Sequence, residues 1–202
     1  MTQVAVVDSG ANFASVRSAL ERCGASYTLT HDAATLRAAT HVLLPGVGNV
    51  TDSWNRIKGH GLVDTLRELT QPVLGICVGM QMMFEHCDEA GHDTLGVFKG
   101  HVKALSATPQ ERVPHCGWNT VSVRGDHALT RRLASDPEGP LDSHVYFVHS
   151  FAAPVTDDTL AECRHTIPFA AAVGHANFYG VQFHPERSAR TGAAWLRAFL
   201  SL

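Results

Sequence analysis

The sequence predicts an α/β fold: a mostly parallel central sheet with helices on both faces and antiparallel additions in the C-terminal half. Three observations carry that expectation. Over the first 90 residues short apolar runs alternate with helical patterns, as they do when parallel strands are covered on both faces by crossover helices. Beyond Gly91 the apolar segments shorten and turn signals multiply, which favours antiparallel strands added to the same sheet rather than a second domain. The 202 residues, 45% hydrophobic and 17% charged, suit one globular domain spanning 1–202 with a substantial core.

Val4 to Val7 reads as a first buried strand. Phe13, Val16, Leu20 and Cys23 then recur at helical spacing, and Gly24 stops that helix. Tyr27 to Leu29 is a weak second strand. Asp32 can cap a short helix running through Ala39, after which His41 to Leu44 forms a third strand that runs into Pro45-Gly46-Val47-Gly48. Helical segments around Ser53 to Ile57 and Leu62 to Leu69 lead to a fourth strand, Val73 to Ile76, which ends at Cys77 and should feed an amphipathic helix. Downstream, strands are expected at His101 to Leu105, Asn119 to Val123, Val145 to Val148, Leu160 to Arg164, Ala170 to Val173 and Phe178 to Phe183. Ser135 to Pro140 is the clearest surface loop. A last helix from about Ser188 sets Trp195, Leu196, Phe199 and Leu200 on one face, which reads as core packing.

Composition excludes several classes of function. Five cysteines (Cys23, Cys77, Cys87, Cys116, Cys163) make an odd set with no C-x-x-C pair, which argues against a disulfide framework and a zinc ribbon. The 13 histidines are scattered, so neither a metal nor another cofactor is expected. A net charge of −3 without a long basic run makes nucleic acid a poor partner, and Arg131-Arg132 reads as a solvated pair. The apolar runs are too short to cross a membrane and Met1-Thr2-Gln3 lacks a basic leader, so a cytoplasmic setting is the expectation.

Chemistry concentrates in two segments. In Val73-Leu74-Gly75-Ile76-Cys77-Val78-Gly79-Met80-Gln81 an apolar strand turns sharply into a helix at a cysteine. A lone cysteine after a strand is ordinarily a small buried hydrophobe, but small neighbours on both sides are what a nucleophile elbow needs, and a helix N-terminus favours the thiolate. In Val181-Gln182-Phe183-His184-Pro185-Glu186 a histidine stands two residues from a carboxylate, and Pro185 forbids a continuous helix there, so both side chains should leave a strand end or loop toward one cleft. Cys77, His184 and Glu186 are then a candidate nucleophile, base and orienting group. A thiolate attacking a carboxamide needs donors for the oxyanion; the Val78 N–H offers one, and Gly46 and Gly48 would let the peptide of Val47 and Gly48 turn another inward. Cys23, Cys87 and Cys163 read as structural.

Together, Gly75 to Gln81 and Gly180 to Glu186 resemble the motifs of the class I (triad) glutamine amidotransferases. The resemblance runs through Leu44-Pro45-Gly46-Val47-Gly48, Pro114-His115-Cys116-Gly117-Trp118-Asn119 and Tyr146-Phe147-Val148-His149-Ser150, hence over nearly the whole chain. The Pro-His-x-Gly-Trp-Asn segment is similar to the branch that serves histidine biosynthesis. The resemblance implies a flavodoxin-like fold, hydrolysis of L-glutamine through a thioester on Cys77, and glutamine binding by Gly46, Gln81, His149 and Ser150. It also implies transfer of ammonia to a separate (β/α)8-barrel synthase subunit in a heterodimer that switches the glutaminase on. Branches serving pyridoxal phosphate, anthranilate or guanylate synthesis, and a catalytically dead scaffold, are the other readings. Ser9, Cys116, Phe151 and Arg187 depart from residues frequent in the family. Cys116 and Trp118 are candidates for the synthase interface, with core packing the alternative for Trp118.

Overall fold

A computed structural model describes residues 2–11, 13–124, 126–134, 141 and 143–202; the Ser135 to Pro140 loop lies outside them. The first half follows the expected alternation. Strand β1 (Gln3–Val7) is followed by α1 (Ala14–Arg22), β2 (Ser26–Thr30), α2 (Ala33–Ala38) and β3 (His41–Gly46). Helices α3 (Val50–Gly59) and α4 (Val63–Arg67) precede β4 (Val73–Cys77), which turns into α5 (Val78–Gln81). Local chemistry sets several boundaries: the Asp32 carboxylate accepts from Thr35 N at 2.7 Å to open α2, and the Asn49 side chain accepts from Asp52 N at 2.8 Å to open α3. Every residue of β3 and β4 is buried, as their unbroken apolar sequence requires of strands covered on both faces.

After α5 the chain forms β5 (Phe84–Cys87), β6 (His92–Asp93), β7 (Phe98–Ala104), β8 (His115–Thr120), β9 (Ser122–Val123), α6 (Ala128–Ala134), β10 (His144–His149) and β11 (Phe151–Ala152). It closes with β12 (Thr159–His165), β13 (Ile167–His175), β14 (Phe178–Val181), a 3₁₀ turn (Pro185–Arg187) and α7 (Ala189–Leu200). Trp195, Leu196 and Phe199 of α7 are each at most 4% exposed and seal one face of the sheet, while Leu200 is half-buried. No helix among the described residues is long and apolar enough to cross a membrane.

The main sheet runs β2-β1-β3-β4-β14-β13-β12-β9, beside a β10-β8 pair and a second sheet β11-β7-β5-β6. Its first five positions are parallel, in the order of a flavodoxin-like sheet. Three expectations need correcting. The C-terminal strands do not all join the main sheet, because β7, β8, β10 and β11 belong to the smaller ones, with β5 and β6 as additional strands in a stretch where no strand was expected. Strand β14 is parallel to β4, not antiparallel. That direction is essential to the site, since an antiparallel β14 would carry residue 184 to the other end of β4, roughly 15 Å away at about 3.3 Å per residue. Finally, the helix after Cys77 is a single turn, buried on every side rather than amphipathic.

Candidate active site

The site is built where β4 ends. Cys77 has φ 53° and ψ −110°, a left-handed conformation that costs a side-chain-bearing residue about 1–3 kcal/mol and that persists only where surrounding packing enforces it. Three glycines supply that packing. A Cβ at Gly79 would fall on the Leu44 carbonyl oxygen of β3, one at Gly75 would lie 2.7 Å from the Gly79 carbonyl carbon, and one at Gly46 would lie 2.5 Å from Gly79 N. Backbone rather than side chains therefore forms the contact between β3 and α5, and the turn drives the Cys77 side chain off the sheet edge.

The parallel register of β14 places Val181 beside Ile76, and the next residue, Gln182, donates its Nε2–H to Cys77 Sγ at 3.6 Å. Two residues on, His184 Nδ1 lies 2.8 Å from Glu186 Oε1, both side chains at most 5% exposed. The 3₁₀ turn, with Pro185 at its start, folds Glu186 back onto the ring. The His184 backbone is pinned from both sides: its N–H donates to Tyr146 O at 2.9 Å, and the Ser188 hydroxyl donates to its carbonyl at 2.7 Å. Nε2 of His184 makes no well-aligned hydrogen bond among the described residues and faces the Cys77 thiol. Burial pulls the imidazole pKa down, but hydrogen bonding to Cys77 and Glu186 and the negative charge of both outweigh it, leaving the pKa pushed up to about 10. At neutral pH the ring is an imidazolium set between sulfur and carboxylate.

A cavity of about 30 Å³ lies against Cys77. Gly48, Val78, Gln81, Glu89, Val148, His149, Ser150 and Phe151 complete its wall. Gly48 has φ +89° and no atom near its missing Cβ, so the Val47-Gly48 peptide has space to rotate. Val47 is 42% exposed beside the mouth, whereas Gly46 is packed beneath α5 and does not reach the cavity. The Ser9 hydroxyl donates to Pro45 O at 2.6 Å and ties this loop to the end of β1.

Two of the implied glutamine contacts are already occupied. The Gln81 Nε2 donates to both Phe151 O and Gln182 Oε1, each at 3.0 Å, leaving its own oxygen as the free acceptor. His149 Nδ1 donates to Phe151 O at 2.8 Å, so its Nε2 accepts from His115 Nδ1 at 2.9 Å. Burial, opposed by the Phe151 hydrogen bond and aided by the charges of His165 and His184, holds His149 at a pKa of about 4. His115, buried and beside His149 and His165, is held at about 3. Both rings are neutral and stiffen the wall.

Sequence reasoning missed Gln182, Ser188 and Glu89. Gln182 stands inside the second motif, and a polar residue fully buried at the end of an apolar strand was the available signal. Glu89, whose carboxylate accepts from Val50 N at 2.7 Å, has no signal in its neighbours. Because Gln182 donates an amide N–H to the sulfur and is itself aligned by Gln81, Gln182→Leu is expected to slow alkylation of Cys77 by iodoacetamide at neutral pH and to cut glutaminase kcat about 10-fold or more. The size follows from losing a hydrogen bond to a charged group, about 1.5–3 kcal/mol. Unchanged alkylation kinetics would show that the contact is without effect on the thiol.

A cysteine on a strained turn, a buried His-Glu pair level with it and a glycine-rich loop alongside define a class of amidohydrolysing sites. The family model for class-I glutamine amidotransferases matches residues 5–201, and the chain belongs to that family. Solved structures agree on the fold. A glutamine amidotransferase superposes with a TM-score of 0.73 at 19% identity, covering 98% of this chain and 97% of that one. A chain of PurLQS from Thermotoga maritima superposes with 0.66 at 18%, covering 98% and 97%. Among curated relatives, imidazole glycerol phosphate synthase subunit HisH of Xanthomonas axonopodis pv. citri is 48% identical over 203 residues, 100% of this chain and 98% of the relative. Subunit HisH 2 of Legionella pneumophila (strain Lens) is 44% identical over 200 residues, 98% of each. Within the amidotransferases the chain is thus of the HisH kind, a glutaminase of histidine biosynthesis.

Proposed function

We propose that this single-domain protein hydrolyses glutamine at Cys77 and hands the ammonia to a (β/α)8-barrel synthase subunit that forms imidazole glycerol phosphate and an aminoimidazole carboxamide ribotide. The placement of the Cys77 sulfur between the Gln182 amide and the His184 ring carries this reading. The Cys77 thiolate attacks the side-chain carboxamide carbon, and its oxygen takes the negative charge facing the N–H groups of Val78 and of the rotated Val47-Gly48 peptide. Imidazolium His184 gives its proton to the departing nitrogen, so ammonia leaves and a thioester remains. Water then adds to the thioester as His184 takes back a proton, the C–S bond breaks, and glutamate departs with the thiolate restored. Glu186 keeps the ring oriented and stabilises its cation.

The cavity supports control by a partner. Gly48 of the glycine-rich loop and Val148 to Phe151 wall the cavity beside Cys77, so a subunit docked on these segments could adjust access of glutamine to the sulfur. The apolar residues exposed around it, Val47 at 42% and Val148 at 40%, with Trp118 at 53% on the neighbouring strand β8, are where a docking subunit would find contact. Exposure at Trp118 favours the interface role over core packing. Glutamate release by the purified chain is expected to be very low alone and to rise at least about 100-fold when the barrel subunit is added together with its ribonucleotide substrate, an energy within ordinary allosteric coupling. Equal turnover with and without the partner would overturn the reading.

A further inference from the structure

The register of the second sheet brings together side chains that are far apart in sequence. His86 of β5 pairs with Asp93 of β6 on one side and with His101 of β7 on the other. Asp88, the first residue of the turn after β5, brings its carboxylate to the same side as His86, whereas Cys87 points into the buried core. The ligating atoms of His86, Asp88 and His101 all lie within 4.8 Å of one another. We propose that His86, Asp88 and His101 form a binding site for a divalent transition metal of the zinc class, separate from the cysteine site.

Three features of the cluster fit an ion. His86 Nδ1 lies 2.9 Å from Asp93 Oδ1, an arrangement that puts the proton on Nδ1 and leaves the Nε2 lone pair free for a metal, as carboxylates behind ligating histidines do. His101 Nε2 approaches Asp88 Oδ1 to 2.7 Å, yet it forms no aligned hydrogen bond among the described residues. Close approach without alignment is the disposition of two donors turned toward a shared third body. The two imidazole rings stand 4.3 Å apart at 78°, edge to face, which keeps both on the same side of the sheet as Asp88. Side-chain exposures of 33% for His86 and about 42% for Asp88 and His101 leave the remaining coordination positions to water. Two imidazoles and one carboxylate select zinc, cobalt or nickel over magnesium and calcium, which take oxygen sets.

A second cluster, Asp8, His31 and His60, is a poorer host. Both Asp8 oxygens are held by Arg56, at 3.1 and 2.8 Å, and an incoming cation would have to displace the guanidinium.

Position gives the ion a route to the cysteine site. Asp88 opens the turn to Gly91, anchored by Asp88 N donating to Val102 O at 3.0 Å. Glu89 in that turn lines the cavity and holds the start of α3 through Val50 N. An ion bridging β5 and β7 therefore clamps the base of a segment whose next residue is part of the cavity wall.

The test is a titration of the tag-free, metal-stripped full chain with Co²⁺, followed by visible absorption, together with Zn²⁺ competition against a chromogenic chelator. One equivalent per chain is expected, with d–d bands and no sulfur-to-metal charge-transfer band. His86→Ala and His101→Ala should each lose that equivalent, while Asp93→Asn, which leaves all three ligands in place, should weaken it about 10- to 100-fold. His31→Ala should bind as the parent does. Absence of stoichiometric uptake, a thiolate spectrum, or undiminished affinity in the His86 and Asp93 variants would overturn the site. Asp93→Asn, an exposed conservative change, keeps the test decisive if the histidine variants fold poorly.

Discussion

Cys77→Ala is expected to reduce glutamine hydrolysis by at least about 10⁴-fold, a loss typical of deleting the nucleophile from a catalytic triad. The fold should survive, because alanine keeps the Cβ and removes one buried sulfur. With the synthase subunit present, the variant should still support imidazole glycerol phosphate formation from added ammonia, and an enzyme-coupled assay for glutamate separates the two reactions. Glutamate release at the parental rate would refute the nucleophile assignment. The same variant tests the electrostatics of the pair. Two of the influences raising the His184 pKa come from Cys77, so its imidazole, followed by NMR, should titrate below about 10, with burial opposed by Glu186 alone. The sign for stability follows. A folded-state pKa raised above 6.5 means the protonated ring stabilises the native state fully below about pH 6.5 and progressively less as pH rises through about 10. That alkaline decline should be steeper in the parent than in Cys77→Ala.

Gly79→Ala is expected to be the most damaging single-methyl addition near the site. Its Cβ meets the Leu44 carbonyl, a backbone atom of a central strand that cannot turn aside as a side chain would. Overpacking of this kind costs about 3 kcal/mol or more, which for a chain of this size lowers Tm by roughly 6–12 °C. Activity should fall further than stability alone would cause, because relief requires β3 and α5 to separate, and the proposed oxyanion donors lie on α5 and in the loop that leaves β3. Gly59→Ala provides the contrast. Nothing lies within 4 Å of a Cβ there and the backbone is ordinary, so a gain of about 0.4–1 kcal/mol is expected from reduced unfolded-state entropy. Equal melting temperatures for the two variants would show that the β3–α5 contact is looser than described.

The parallel half of the fold was legible because β1, β3 and β4 are short, mostly apolar runs, whereas β2, Ser-Tyr-Thr-Leu-Thr with two exposed polar residues, is the weak strand among them. The segment after Gln81 was not. Met82, Met83 and Phe84 are all fully buried, so the run has no period by which helix and strand can be told apart, and the chain passes from one turn of helix directly into β5. Direction was also hidden: nothing in Phe178 to Val181 says whether its neighbour runs with it or against it, and only the pairing with β4 decides. Within the site, residues that react announced themselves by type and spacing, while those that hold them did not. The Gln182 amide bonds Cys77 and Gln81, 105 and 101 residues away, and the Ser188 hydroxyl that holds the His184 carbonyl is itself fixed by Tyr146 N, 42 residues away. The histidines of the second sheet looked scattered for the same reason, since strand register, which no local pattern encodes, is what gathers them.

The seating of β14 against β4 has a consequence for biosynthesis of the protein itself. One wall of the reactive cleft is translated about a hundred codons after the other, and no nascent polypeptide shorter than 184 residues contains both. A ribosome stalled anywhere before residue 184 leaves a sulfhydryl with no proton carrier opposite it. Products terminated before residue 184 should therefore be inert toward glutamine.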